Sequence, residues 1–131
     1  RIPLFADEPQ TLAELFLQAA AKHPREDALN YKKGDEWIAI SSAEMIARAE
    51  NIALGLYALG VRRGMRAALI AANSPEWTLT DAGCQFAGVI DVPVYTTLAA
   101  GSVCYIANDS GAKVMFLQNR EMFERVAGIL T

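Results

Sequence analysis

The chain has 131 residues, 53% of them hydrophobic and 21% charged, with a formal net charge of -3. That length suits one domain with its own hydrophobic core, and the composition excludes an intrinsically disordered chain. The basic residues are scattered, densest at Arg62, Arg63 and Arg66, which excludes a surface built to neutralise nucleic-acid phosphates.

Thr11 can cap a first helix that runs to about Lys22, with Glu14 in the capping-box position three residues on. Leu12, Leu15, Phe16 and Ala19 form its expected apolar face, and Pro24 ends it. His23 falls at the end of this helix, where the helix dipole favours a cation. Two extended segments follow, at 28–32 and 37–40, joined by a Lys33-Gly34-Asp35-Glu36 turn. Ser41 and Glu44 form a second capping box. Met45, Ala49, Ile52, Leu56 and Leu59 then recur at alternating spacings of four and three, one apolar stripe that predicts a second core-facing helix. Gly60 supplies a left-handed ending, and Val61 its hydrophobic contact.

The small-apolar run 67–72 predicts a strand buried on both faces. Ser74 as N-cap, Pro75 at the first helical position and Glu76 in the first turn start a third helix, which Gly88 ends. A strand over 89–95 follows, its Pro93 pointing to an edge or a bulge. A short helix at 102–108, a turn at Asp109-Ser110-Gly111, a strand at 114–117 and a last helix at 121–129 complete the chain. Strands alternating with helices predict an α/β fold: a three-layer parallel sheet with helices on both faces, built from right-handed βαβ units, plus a small antiparallel hairpin. The chain reads as a single unit, residues 1–131.

Chemistry is sparse. No G-x-x-x-x-G-K-[ST] or G-x-G-x-x-G cradle occurs. Cys84 and Cys104 match no zinc spacing and are expected to be buried small hydrophobes. A Ser-His-acid triad would have to recruit His23, far in sequence from any strand end. The carboxylate pairs Asp7/Glu8 and Asp35/Glu36 fall in loops or termini, where solvated surface is the default. Open parallel sheets bind ligands at the carboxyl ends of their strands, which puts Asn73-Ser74 and Thr96-Thr97 at the productive edge. Helix capping and turn closure are the competing and preferred roles for both pairs. The Arg62/Arg63/Arg66 group sits at the opposite end, where solvated helix-end charge is expected. No apolar run approaches the roughly 20 residues that span a bilayer, and Arg1-Ile2-Pro3-Leu4 opens no signal-peptide-like segment. The expected setting is the cytoplasm, free or peripheral to a membrane.

The order of motifs resembles the opening of AMP-forming acyl-CoA synthetases, in the adenylate-forming enzyme superfamily. The resemblance runs from Thr11-Leu12-Ala13-Glu14-Leu15-Phe16 through Ala53-Leu54-Gly55-Leu56 and Leu59-Gly60-Val61 to Ala71-Ala72-Asn73-Ser74-Pro75-Glu76-Trp77. It continues through Phe86-Ala87-Gly88-Val89-Ile90-Asp91-Val92-Pro93-Val94-Tyr95-Thr96-Thr97 and ends on Asn108-Asp109-Ser110-Gly111-Ala112-Lys113-Val114. Asn-Ser-Pro-Glu-Trp with Val-Pro-Val-Tyr-x-Thr is most similar to the long-chain fatty-acid–CoA ligases. The resemblance implies an amino-terminal subdomain of a larger ligase that uses ATP, CoA and Mg²⁺ to activate a fatty acid. Its ATP motifs, a Ser/Thr/Gly-rich loop ending in Pro-Lys-Gly, an aromatic-Thr-Glu motif and a late lysine, do not occur here. No catalytic, cofactor-binding or metal-binding residue is therefore assigned to this piece, which is expected to be inactive alone and to bind no cofactor. Its expected partners are the remaining subdomains and a second copy of itself, in a homo-oligomer, with no nucleic acid. Ala99-Ala100-Gly101 replaces the family's Ser-Pro-Glu helix start, so the short helix is expected to begin late, capped by Ser102. The alternatives are a ligase for an aryl, medium-chain or amino acid, and a stand-alone α/β binding module.

Overall fold

Residues 7–128 are described by a computed structural model. The elements follow as α1 (Leu12–Lys22), β1 (Leu29–Lys33), β2 (Glu36–Ile40), α2 (Ser42–Ala58), β3 (Arg66–Ile70), α3 (Pro75–Ala87), β4 (Ile90–Pro93), α4 (Ala100–Ser110), β5 (Val114–Leu117) and α5 (Arg120–Ala127). β1 and β2 form an antiparallel hairpin around Gly34-Asp35, with Leu29 opposite Ile40 and Lys33 opposite Glu36. β4, β3 and β5 form a parallel sheet in that order. Pro93 lies on an edge strand, where its missing N–H leaves no ladder partner unsatisfied.

Alternation along the strands divides the core. Ala67 of β3 with Val114 and Phe116 of β5 packs against Leu56 of α2 and Cys84 of α3. Ile70 with Met115 and Leu117 packs on the other side against Val103 of α4 and Met122 and Val126 of α5. Two helical layers thus sandwich the sheet, as the run of small and branched residues in β3 requires.

Local chemistry sets the element ends. The N–H of Glu14 donates to Thr11 Oγ1, and that of Glu44 to Ser41 Oγ, each at 3.1 Å. The reciprocal half of each expected capping box is absent: the Glu14 carboxylate takes the N–H of Gln10, and that of Glu44 pairs with Arg48 one turn along. α2 ends in a Schellman turn, with Gly60 N donating to Tyr57 O and Val61 N to Leu56 O, each at 3.0 Å. α3 repeats it: Gly88 N donates to Gln85 O and Val89 N to Cys84 O. The Val89 N–H is thereby committed to the helix, which is why β4 begins at Ile90 and not at 89.

Several expectations need correction. α1 turns Ala13, Phe16 and Ala20 inward, while Leu12, Leu15 and Ala19 are exposed. Phe16 meets Phe86 edge-to-face with centroids 6.5 Å apart, which fixes that rotation. Leu59 is 72% exposed, because the helix has ended and Val61 takes the contact with Leu56. α4 starts at Ala100 without a side-chain cap; the Ala99 carbonyl accepts from Ser102 N and Val103 N, so Ser102 is inside the helix. It runs on to Ser110, through the expected turn, and Gly111 ends it. β3 stops at Ile70, and Ala71 and Ala72 lie outside it. The last helix starts at Arg120, capped by Asn119, whose Oδ1 accepts from Met122 N at 2.9 Å. Its expected end at residue 129 lies outside the described residues. Cys84 is fully buried, but Cys104 is only half-buried.

Helices α2 and α3 approach most closely at Gly83. A Cβ there would lie 2.5 Å from Ile52 Cγ2, 2.6 Å from Ile52 Cβ and 3.1 Å from the Ala49 carbonyl oxygen. In an open helix Gly→Ala gains up to about 1 kcal/mol, whereas overpacking a core costs about 1–3 kcal/mol. Gly83→Ala should therefore destabilise the chain, and cost less in an Ile52→Ala background; urea unfolding of the four chains of this cycle measures both. A stabilised Gly83→Ala chain would disprove the close contact.

Candidate functional site

The carboxyl ends of β3 and β5 open into a cleft of about 360 Å³ lined by Ala72, Asn73, Ser74, Trp77, Thr80 and Gln118, among others. Asn73 and Ser74 also face the hairpin across a second cleft, opposite Asn30, Tyr31 and Lys32. Most polar groups here already have partners. Ser74 Oγ accepts from Trp77 N at 3.2 Å, the N-cap bond of α3. Gln118 Oε1 accepts from Ala72 N at 2.8 Å, and Gln118 N donates to Ile70 O at 3.0 Å, which ends the β3 ladder. Asn73 is exposed and makes no hydrogen bond among the described residues. The start of α3 is a poor anion site: its cap is filled by Ser74, and the Glu76 carboxylate stands in the first turn.

Thr96 and Thr97 follow β4 on the same sheet edge but do not line the cleft that Asn73 and Ser74 share with Gln118. The Thr96 carbonyl accepts from Arg125 Nη2 at 2.6 Å, which ties the turn to α5. Ser74 thus caps its helix and the Thr96 carbonyl holds its turn to α5 in this structure. Gln118 was missed in the sequence, although the rule that selected Asn73 also covers it: it directly follows β5.

Other sequence candidates are apart from this edge. His23 closes α1, its N–H donating to Ala19 O at 2.9 Å. Asp7 pairs with Lys22; that hydrogen bond, and then the ammonium charge, holds its carboxyl below the usual range. Asp35 and Glu36 are exposed at the hairpin turn. Arg62 Nη1 donates to Tyr57 O at 2.6 Å and to Val61 O at 3.2 Å, and its guanidinium lies 3.9 Å from the Tyr57 ring centre. That is the expected helix-end role. Among the described residues, no three His, Cys, Asp or Glu side chains form a group able to hold a metal ion, and no helix is long and apolar enough to cross a membrane.

A polar cluster joins α3 to β4 at the amino-terminal half of that strand. Gln85 Nε2 donates to Asp81 Oδ1 and Asp91 Oδ1, each at 3.3 Å. Burial, then the Asp81 charge, raises the Asp91 carboxyl above its ordinary value of 3.8. Burial first, then the charges of Asp91 and Asp81, pushes the Cys84 thiol up to about 12. A thiol that protonated is a poor nucleophile.

The fold defines a class: a three-layer α/β unit with a parallel sheet between two helical layers. Residues 16–130 match the AMP-binding enzyme family, and the chain belongs to it. It is 32% identical over 127 residues to the long-chain-fatty-acid–CoA ligase ACSBG1 of Rattus norvegicus, covering 97% of this chain and 18% of that protein. The inhibitor-bound N-terminal domain of FACL13 from Mycobacterium tuberculosis superposes with a TM-score of 0.74 at 34% identity, over 82% of this chain and 26% of that one. A fatty acyl CoA synthetase of Mycobacterium tuberculosis gives 0.76 at 30% identity, over 95% of this chain and 23% of the other. The chain thus spans about a fifth of the length of such relatives.

Two outcomes follow for the α3–β4 cluster. A carboxyl whose folded pKa lies above its unfolded value makes the folded chain bind more protons, so stability falls as pH rises from 3.8 through the raised value. Asp91→Asn, which keeps an acceptor for Gln85, should raise the melting temperature at pH 7, and the gain should vanish below pH 3.8. An equal gain at both pH values would contradict the electrostatic cause. In a Cys104→Ser chain, Cys84 should react with a disulfide reagent only at the rate of unfolding, followed by absorbance with and without urea.

Proposed function

We propose that the chain is the amino-terminal subdomain of an ATP-dependent long-chain fatty-acid–CoA ligase. The observation that supports this is the 32% identity to a long-chain ligase over 97% of the chain. In the proposed reaction a fatty carboxylate oxygen attacks the α-phosphorus of ATP and pyrophosphate leaves. The CoA thiolate then attacks the acyl carbon, and AMP leaves with the anhydride oxygen. Mg²⁺ would neutralise the triphosphate charge, held by residues outside this chain.

The role assigned to these residues is support. Ser74, Gln118 and Arg125 spend their polar groups on the turns of the carboxyl edge, which makes that edge a rigid wall against which an ATP-binding part can pack. The remaining subdomains are its proposed partners. Exposed Tyr105 and Phe123 on α4 and α5 support self-association as well. The proposed setting is cytoplasmic, free or at a membrane surface.

The 131-residue chain alone should give no ATP–pyrophosphate exchange. The open reading frame that contains it, expressed whole, should give exchange dependent on a long-chain fatty acid and release AMP when CoA is added. Exchange by the short chain would refute the supporting role. Exchange driven by an aromatic or amino acid, and not by a fatty acid, would replace the substrate class.

A further inference from the structure

The junction of α3 and β4 places a carboxylate where a covered sheet face favours an apolar side chain. Asp91 stands opposite Ala67 in the parallel ladder, and Ala67 packs against Cys84 of α3. Asp91 therefore falls on the face that α3 covers, while its neighbour Ile90 is exposed. A second carboxylate meets it there. The Gln85 carboxamide stands between the two and donates from Nε2 to Asp81 Oδ1 and to Asp91 Oδ1, each at 3.3 Å. That nitrogen carries two N–H groups, one for each carboxyl.

No cation closes the group. Cys84, beside it on α3, is an uncharged thiol, and β3 presents Ala67. Thr11, Leu12 and Ala13, at the start of α1, bring no charge to the cleft beside Asp91. Arg63 lines that cleft, but no ion pair joins it to either carboxylate among the described residues. Arg66 stands opposite Ile90, on the other face. Two carboxylates so placed repel when both are ionised, and one proton held by the pair removes the repulsion. The two sides of the junction are unequally held. α3 is fixed by Gly83 against Ile52 and by Cys84 in the core. β4 is an edge strand with no buried residue between Ile90 and Pro93, anchored by buried Val89 and Val94 on either side. Repulsion at the junction therefore acts on β4.

We propose that Asp81, Gln85 and Asp91 form a pH-operated latch: one proton on the carboxyl pair holds β4 to α3, and its loss loosens the edge strand locally without unfolding the chain. Deprotonation is the opening step, so the latch is closed in acid and loosens as pH rises. The inference rests on this junction alone and does not need the ligase reading.

Native-state hydrogen exchange of the 131-residue chain in low urea tests it. The Ile90 N–H, bonded to Met65 O at 2.9 Å, should exchange at pH 7 through an opening that urea scarcely accelerates, unlike the most protected amides of β3. Its protection, taken relative to the intrinsic rate of each sequence, should rise on the order of 10-fold in Asp91→Asn, the scale that two like charges a few ångströms apart supply in a half-buried site. Asp81→Asn should give the same rise, and the two substitutions together no more than either alone. Both rises should vanish below pH 3.8, where Asp91 holds its proton. A urea dependence equal to that of β3, additive effects of the two substitutions, or a rise that persists in acid would overturn the proposal. So would unchanged protection in both variants, the result expected if Asp91 turns its charge to solvent with β4 in place.

Discussion

The close approach of α2 and α3 is the constraint on which the rest of the unit depends. Gly83 lets the backbone of α3 lie against Ala49 and Ile52, and this sets the distance at which the helix pair covers β3. The sheet face below is matched in size: Ala67 is fully buried beneath Leu56 and Cys84. Small residues on both partners bring the layers together, and interiors packed near crystal density have no room for an added methyl group. The position of α3 then decides where Gly88 falls, and the turn at Gly88 decides where β4 begins. One missing side chain thus propagates to the sheet edge.

Features fixed within one turn of chain were legible. Thr11, Ser41 and Ser74 cap their helices, and Gly60, Gly88 and Gly111 end them, because each involves groups no more than five residues apart. The parallel sheet was legible too, since the run at 67–70 is apolar on both faces. What failed was whatever depends on a distant partner. The inward face of α1 is offset by one residue, about 100° of rotation, because Phe16 must meet Phe86. The capping boxes are the local exception: their second bonds were lost to partners four residues away, Gln10 and Arg48, which took the carboxylates instead. Gly83 carries no local signal, as helical glycines are defined by what packs on them.

At the candidate edge, the residue types were legible and their commitments were not. Asn73, Ser74, Thr96 and Gln118 are all placed where an open α/β sheet presents ligand-binding groups. Yet Ser74 and Gln118 bond to backbone N–H groups, and the Thr96 carbonyl is held by Arg125. A polar group that satisfies the backbone of its own turn stabilises the turn and has less capacity left for a ligand. The edge is therefore organised before anything packs on it.

Both ends of the sheet are closed by the same means. At the carboxyl end Ser74, Gln118 and the Thr96 carbonyl are bonded within or across their turns, while Asn73 makes no hydrogen bond among the described residues. At the amino end Arg62 closes on the end of α2, its guanidinium on the Tyr57 and Val61 carbonyls and over the Tyr57 ring. Ordering a long basic side chain costs conformational entropy, up to about 2 kcal/mol, and these contacts with one helix end offset that cost. At either end a polar group committed to nearby backbone fixes where a helix or strand stops.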